Sequence, residues 1–165
     1  MSLKNNTAIV FTLAIILGTG IVVSSSFNSA AYAQNGKFTA NLSGQEEVPP
    51  TNSTATGMAE FTPSGESVSY NVNATDIQGV TAGHIHTGAQ GENGPVVATL
   101  FKFDSAQNQV SENGTITADK LEGPMQGKQI SDLANAMKNG TTYVNIHTEQ
   151  NPNGEIRGQI MSPTS

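Results

Sequence analysis

The fold is decided by an alternating run, TYVNIHT, at Thr142–Thr148. Apolar Val144 and Ile146 occupy every second position there, and polar or aromatic residues fill the positions between them. Successive side chains of a β-strand point to opposite faces of a sheet, so this alternation is typical of a strand with one face against a hydrophobic core. The run therefore predicts a strand whose other face carries His147.

Short segments of the same kind recur along the chain between turn-forming Gly, Pro and Asn residues. Eight segments fit the pattern: residues 37–42, 56–62, 68–73, 83–87, 96–101, 114–117, 142–148 and 155–161. One short connecting helix is expected before the seventh, from Ser131 or Asp132 as N-cap to Lys138, where Asn139 and Gly140 supply a left-handed C-cap. The sequence predicts an all-β fold, an antiparallel Greek-key sandwich or barrel of about eight strands.

Composition excludes several classes of function. The chain has 165 residues, which is enough for one domain, and it contains no Cys. Disulfide frameworks, thiolate zinc sites, iron-sulfur clusters, blue copper sites and cysteine nucleophiles are therefore excluded. Only 7 Lys and Arg residues stand against 13 Asp and Glu residues, a net charge of -6. Such an acidic chain lacks the clustered basic face that nucleic-acid binding requires.

The N-terminal segment, residues 1–33, is typical of a signal peptide. Lys4 precedes a largely apolar stretch, and the sequence Ala31-Tyr32-Ala33 matches the small-x-small pattern of a cleavage site. We expect a mature chain, residues 34–165, that forms a single domain with 6 basic and 13 acidic residues. The alternative is an uncleaved membrane anchor, because the apolar stretch approaches the roughly 20 residues that span a bilayer. Either interpretation predicts a secreted or cell-surface protein.

The three histidines fall in two of the predicted strands. In the segment 83–87, His84 and His86 are two residues apart and share a face, while Ile85 points into the core. His147 lies on the non-core face of its own strand. The only Arg of the chain, Arg157, also alternates with core residues and is expected to point outward. If these strands are neighbours, three imidazoles and one guanidinium converge on one face of the sheet.

Three converging imidazoles favour a metal site. Neutral imidazole binds copper, zinc, iron and nickel, and three protein ligands leave a coordination position open. The predicted ligands are His84, His86 and His147. The alternative is that these are partly exposed sheet residues that hydrogen-bond to nearby Thr side chains and to the backbone.

Five stretches of this sequence resemble the CHRD domain, a module named after chordin and also found singly in secreted microbial proteins. The matching stretches are residues 38–50, 79–88, 93–97, 143–148 and 151–159, in that order. They extend over essentially the whole mature chain. The resemblance implies one CHRD domain, and the family carries little agreed biochemistry.

A weaker resemblance, to copper/zinc superoxide dismutase, concerns mechanism. The order of a His-x-His strand, a later strand ending in Ile-His and a near-terminal Arg is similar in the two. This implies a superoxide-dismutase-like or immunoglobulin-like sandwich, copper ligands at His84, His86 and His147, and a catalytic Arg157 that guides the superoxide anion. The chain lacks a fourth bridging His, a zinc loop and cysteines. A mixed zinc and copper enzyme is therefore excluded, and a copper-only site stays open.

Two functions follow from these observations. The first is an exported CHRD domain that binds metal at the three histidines, copper with zinc as the alternative, with a sub-hypothesis of superoxide-dismutase-like redox activity. The second is a metal-independent extracellular module, structural or adhesive, that binds a protein or glycan partner. The sequence gives no oligomeric state.

Overall fold

A computed structural model describes residues 36–162. The predicted signal peptide, residues 1–33, lies outside the described residues. The described residues form eight strands and one α-helix: β1 (Phe38–Ser43), β2 (Thr56–Ser64), β3 (Ser67–Thr75), β4 (Val80–Thr87), β5 (Val96–Gln107), β6 (Val110–Thr117), α1 (Ile130–Lys138), β7 (Thr142–Thr148) and β8 (Ile156–Gln159). Every strand pairing is antiparallel, which confirms the predicted all-β fold.

The strands form one sheet in the order β5-β4-β7-β8-β1-β2-β3-β6. The two end strands, β5 and β6, are joined by the short turn at residues 108–109, so the sheet curls into a nearly closed sandwich. The narrowest join between neighbouring strands, meaning the one with the fewest paired residues, is between β1 and β8. There Ser43 pairs with Arg157 and Thr39 pairs with Met161. This join brings the N-terminal and C-terminal strands together beside β7.

One hydrophobic core fills the space inside the curled sheet. Each strand contributes its alternate apolar side chains, as the period of two requires. Among the core residues that the solvent does not reach are Phe61, Val72, Ile85, Val144, Ile146 and Ile156. Leu133 and Met137 of α1, four residues apart, add one face of the helix to this core. Burial of these side chains is the main stabilising contribution to the fold.

A β-bulge in β4 decides which way the histidines point. Val80 pairs with Thr148 and Ala82 pairs with His147, so β4 has one extra residue between these two pairs. The extra residue rotates the strand and reverses the face on which later side chains lie. Val80 is therefore in the core, while Ala82, His84 and His86 lie on the outer face.

The helix begins earlier than the sequence predicted. Its N-cap is Gln129, not Ser131 or Asp132, and the side chains of Gln129 and Asp132 form a reciprocal capping box. The earlier start is explained by Ile130, whose side chain is buried in the core. At the other end Gly140 has a φ of 65°, which confirms the predicted left-handed cap. Within residues 36–162 no helix is long and apolar enough to span a membrane.

Candidate metal centre

Two neighbouring strands, β4 and β7, place the histidines on the outer face of the sheet. His84 and His86 on β4 pair with Asn145 and Tyr143 on β7, and His147 pairs with Ala82. Paired residues of antiparallel strands have their side chains on the same face. The structure thus confirms the convergence of three imidazoles. The sequence placed these side chains on the face away from the core, and on that face His86 is only 9% exposed and the other two rings are half-buried.

The three rings are close enough to share one ion. One ring nitrogen from each histidine lies within 4.8 Å of the other two. The ring centroids are 4.9 Å apart for His84 and His147, 5.7 Å for His86 and His147, and 5.8 Å for His84 and His86. Nitrogens that share an ion at about 2 Å lie at most about 4 Å apart, so nitrogens within 4.8 Å of one another reach this spacing after a shift of less than about 1 Å.

Hydrogen bonds fix the tautomers of two rings. Nδ1 of His86 lies 2.9 Å from the carbonyl oxygen of Gly94, and Nδ1 of His147 lies 3.0 Å from that of Pro152. A carbonyl only accepts, so each Nδ1 carries the proton and each Nε2 presents a lone pair. Nε2 of His86, Nε2 of His147 and Nδ1 of His84 are buried and have no partner. Carbonyl partners of this kind orient metal-binding histidines in proteins.

Burial keeps the three rings neutral. Desolvation is the largest cause that lowers the pKa of His84, and the neighbouring His147 and His86 lower it further, to about 4. Desolvation also lowers the pKa of His86 and of His147, although the carbonyl partner of each ring acts in the opposite direction. Neutral imidazole is the form that binds a metal, so the site is in its binding form at neutral pH.

Arg157 lies on the same face but is not exposed. The sequence predicted that this side chain points outward, and the loop that follows β4, residues 88–95, folds over it and leaves it 2% exposed. Its guanidinium donates hydrogen bonds to Asn93 Oδ1 at 3.1 Å, to the carbonyl of Ala89 at 3.2 Å and to the carbonyl of Glu92 at 2.8 Å. The loop is thus a cover over this part of the sheet.

Tyr143 lies between Arg157 and the histidine cluster. The guanidinium carbon of Arg157 is 3.5 Å from the centroid of the Tyr143 ring, and the ring stacks on His86 with centroids 5.0 Å apart and planes at 13°. The Tyr143 hydroxyl accepts a hydrogen bond from the backbone N–H of Gly94 at 3.1 Å. Strand alternation predicts that Tyr143 lies on the same face as His147, and only the packing shows its contact with His86.

A comparison with known families decides the identity of the domain. The family model of the CHRD domain matches residues 38–160. The chain belongs to the CHRD domain family. The match begins with β1, ends just after β8 and includes all three histidines and Arg157, so the family resemblance found in the sequence is confirmed. No curated protein matches the chain.

The CHRD domain also buries a carboxyl group close to the cluster. Glu47 is 6% exposed, and its Oε2 accepts a hydrogen bond from Asn145 Nδ2 at 3.4 Å. Desolvation raises the pKa of Glu47 from its ordinary value of 4.5 to about 7, although Arg157 and Asn145 act in the opposite direction. Strand alternation does not mark this site, because Glu47 follows β1 outside any strand. Its neighbour Glu46 is exposed.

Replacing Glu47 should change how the stability of the CHRD domain depends on pH. The unfolded chain ionises Glu47 near pH 4.5, whereas the native protein keeps the proton until about pH 7. The stability that this carboxyl contributes is therefore present below pH 4.5 and lost as the pH rises to about 7. Glu47→Gln does not titrate, so we expect the variant to gain about 1 to 2 kcal/mol relative to wild type over that window, after allowance for solvent screening.

Urea unfolding of wild type and Glu47→Gln at the two ends of the window measures this gain. Glu46→Gln, which removes one negative charge from the exposed neighbour, is the matched control. A difference between Glu47→Gln and wild type that stays constant with pH would contradict the assigned protonation of Glu47.

Proposed function

We propose that this CHRD domain is an exported metal-binding domain whose three-histidine site holds copper, with zinc as the alternative metal. The observation that carries the proposal is the set of three buried imidazole nitrogens without a partner, one on each of His84, His86 and His147. Buried polar atoms in native proteins nearly always have a partner, and three unpartnered imidazole nitrogens on rings this close together favour a bound cation.

The donor set supports copper. All three ligands are imidazole nitrogens, and copper stands at the top of the affinity order for divalent first-row metals at nitrogen sites. Zinc accepts the same ligands, and with three of them it retains an open position for a further ligand. His84 and His147 are only half-buried, so a small molecule would approach that position past their exposed edges.

Redox activity of the superoxide-dismutase type is a further part of the proposal. Dismutation combines two superoxide ions and two protons into dioxygen and hydrogen peroxide, and a bound copper ion would supply the electron exchange between them. The net charge of -7 expected for the mature chain repels an anion at long range. Arg157 would attract superoxide only through its field, because its guanidinium is covered and hydrogen-bonded to the loop.

Export is proposed from the sequence alone. The basic start, the apolar stretch and the Ala31-Tyr32-Ala33 pattern in residues 1–33 support secretion or display at the cell surface. Because the chain has no cysteine, a copper site in it would use imidazole and not thiolate ligands.

Electron paramagnetic resonance of the protein with one equivalent of Cu(II) tests the metal site. We expect a single homogeneous signal with nitrogen hyperfine structure from three imidazoles, and its loss in a variant with His84, His86 and His147 all changed to Ala. A superoxide assay on the copper-loaded protein then tests the redox part, and full loading without activity would remove that part alone.

The opposite result would favour a metal-independent function. A weak, heterogeneous signal shared by the wild type and the triple variant would mean that the histidines are ordinary residues of the sheet. The proposal would then give way to a metal-independent module that binds an extracellular protein or glycan partner. Capture of a partner that neither a chelator nor the triple variant affects would support that function.

A further inference from the structure

We propose that Arg157 is a positioning residue for the metal ligand His86, acting through Tyr143 and the loop 88–95. The inference rests on the proposed metal site and adds how one of its ligands is held. It differs from the anion-guiding role, because it depends on the hydrogen-bond geometry of the guanidinium and not on its charge.

The donors of Arg157 are committed to the loop. Nη1 donates to Asn93 Oδ1, and Nη2 donates to the carbonyls of Ala89 and Glu92, at 2.8 to 3.2 Å. Within residues 36–162 the one salt bridge is between Lys37 and Glu60, so no carboxylate pairs directly with this buried guanidinium. Taking a charge out of water is costly, and here loop oxygens offset that cost. The loop conformation and the buried Arg157 therefore depend on each other.

The held loop positions the acceptor of His86. Gly94 directly follows Asn93, and its carbonyl oxygen accepts a hydrogen bond from His86 Nδ1 at 2.9 Å. Asn93 is also tied to the next loop, because its Nδ2 donates to the carbonyl of Val48 at 2.7 Å. Movement of the loop would remove the acceptor that keeps the proton on Nδ1 and the lone pair on Nε2 of His86.

Tyr143 provides a second path from Arg157 to the same ring. The guanidinium carbon of Arg157 is 3.5 Å from the centroid of the Tyr143 ring. The other face of that contact is His86, whose ring plane is at 13° to that of Tyr143. A guanidinium over an aromatic face is an attractive cation-π contact. The hydroxyl of Tyr143 also accepts a hydrogen bond from the N–H of Gly94. His86 is thus held at its Nδ1 and across its ring face by groups that Arg157 contacts.

His147 is an internal control for this arrangement. Its Nδ1 bonds to the carbonyl of Pro152, in the turn between β7 and β8, and not to the loop 88–95. The proposal therefore predicts that loss of Arg157 disturbs His86 and leaves His147 unchanged. General destabilisation of the fold would disturb both rings alike.

The test compares Arg157→Gln and Arg157→Lys in the full-length protein. Long-range proton–nitrogen NMR of the metal-free protein reports the tautomer of each ring. We expect wild-type His86 and His147 to carry their protons on Nδ1, and Arg157→Gln to give a mixture of tautomers at His86 alone. Cu(II) affinity should fall about 10- to 100-fold, the usual effect of removing a partner of a metal ligand.

Arg157→Lys separates positioning from charge. Lys keeps the positive charge but cannot make the forked set of hydrogen bonds, so we expect it to behave as Arg157→Gln does. If Lys restores the wild-type tautomer and affinity, the role of Arg157 is its charge and the proposal fails. Lys102→Gln, which removes an exposed charge next to Ala82 on the outer face, is the matched control and should leave His86 unchanged.

Asn93→Ala and the metal-free protein offer two further tests of the positioning role of Arg157. If Arg157→Gln does not fold, Asn93→Ala removes an acceptor of the guanidinium at an exposed loop residue and should shift the His86 tautomer in the same direction. If wild type binds no metal, the proposed function fails, but the tautomer of His86 still decides the positioning role. Normal metal binding with an unchanged His86 tautomer in Arg157→Gln overturns the positioning role alone.

Discussion

Saturation with Cu(II) is expected to raise the midpoint of thermal unfolding by about 12 to 16 °C. A ligand that binds only the native state stabilises it by about 4 kcal/mol when its free concentration is a thousand times the dissociation constant. For a folded unit of the size described here, about 1 kcal/mol corresponds to roughly 3 to 4 °C. The gain is expected because the unfolded chain has the same histidines but does not hold them within 4.8 Å of one another.

Scanning calorimetry with and without Cu(II) measures this shift. The matched control is the triple variant with all three histidines changed to Ala, whose midpoint copper should leave nearly unchanged. A chelator added to the loaded wild type should return it to the metal-free midpoint. Equal shifts in the wild type and the triple variant would show that copper binds elsewhere, and no shift in either would contradict a preformed site.

The strand pattern made the fold and the histidine cluster predictable from the sequence. Val144 and Ile146 alternate with Asn145 and His147, and the structure places the first pair in the core and the second pair on the outer face. Period-two alternation fixes the face of each side chain, which is why the shared face of His84 and His86 could be predicted. The neighbouring position of β4 and β7 was only a condition in that argument, and the register of the sheet fulfils it.

Long-range contacts account for what the sequence left out. The bulge at Val80 in β4 depends on its pairing with β7, and no local signal marks it. The burial of Arg157 depends on oxygens contributed by residues 64 to 68 positions earlier in the chain. Glu47 is buried against Asn145, which lies 98 positions away. Alternation shows which face a side chain takes and not what covers that face, so the cover over the site could not be predicted.

Gly158→Ala is expected to destabilise the protein by about 3 to 5 kcal/mol, the range of severe packing defects. Gly158 lies in β8 at the narrow join with β1. A Cβ added there would be 2.2 Å from the carbonyl oxygen of Asn41 and 2.7 Å from its carbon. Because these are backbone atoms of β1, no change of rotamer relieves the overlap, and the two strands must separate. Overpacking that only moves side chains costs less, typically about 1 to 3 kcal/mol.

Urea unfolding of the metal-free variant measures this loss. Gly65→Ala is the matched control, because Gly65 has a φ of 58° and nothing lies within 4 Å of its added Cβ. That control should lose only about 1 kcal/mol, the cost of a left-handed backbone for Ala. If Gly158→Ala loses no more unfolding free energy than Gly65→Ala, β1 and β8 can separate locally at little cost in stability. A larger loss would show that close packing of β8 against β1 stabilises the fold at the point where Ser43 pairs with Arg157.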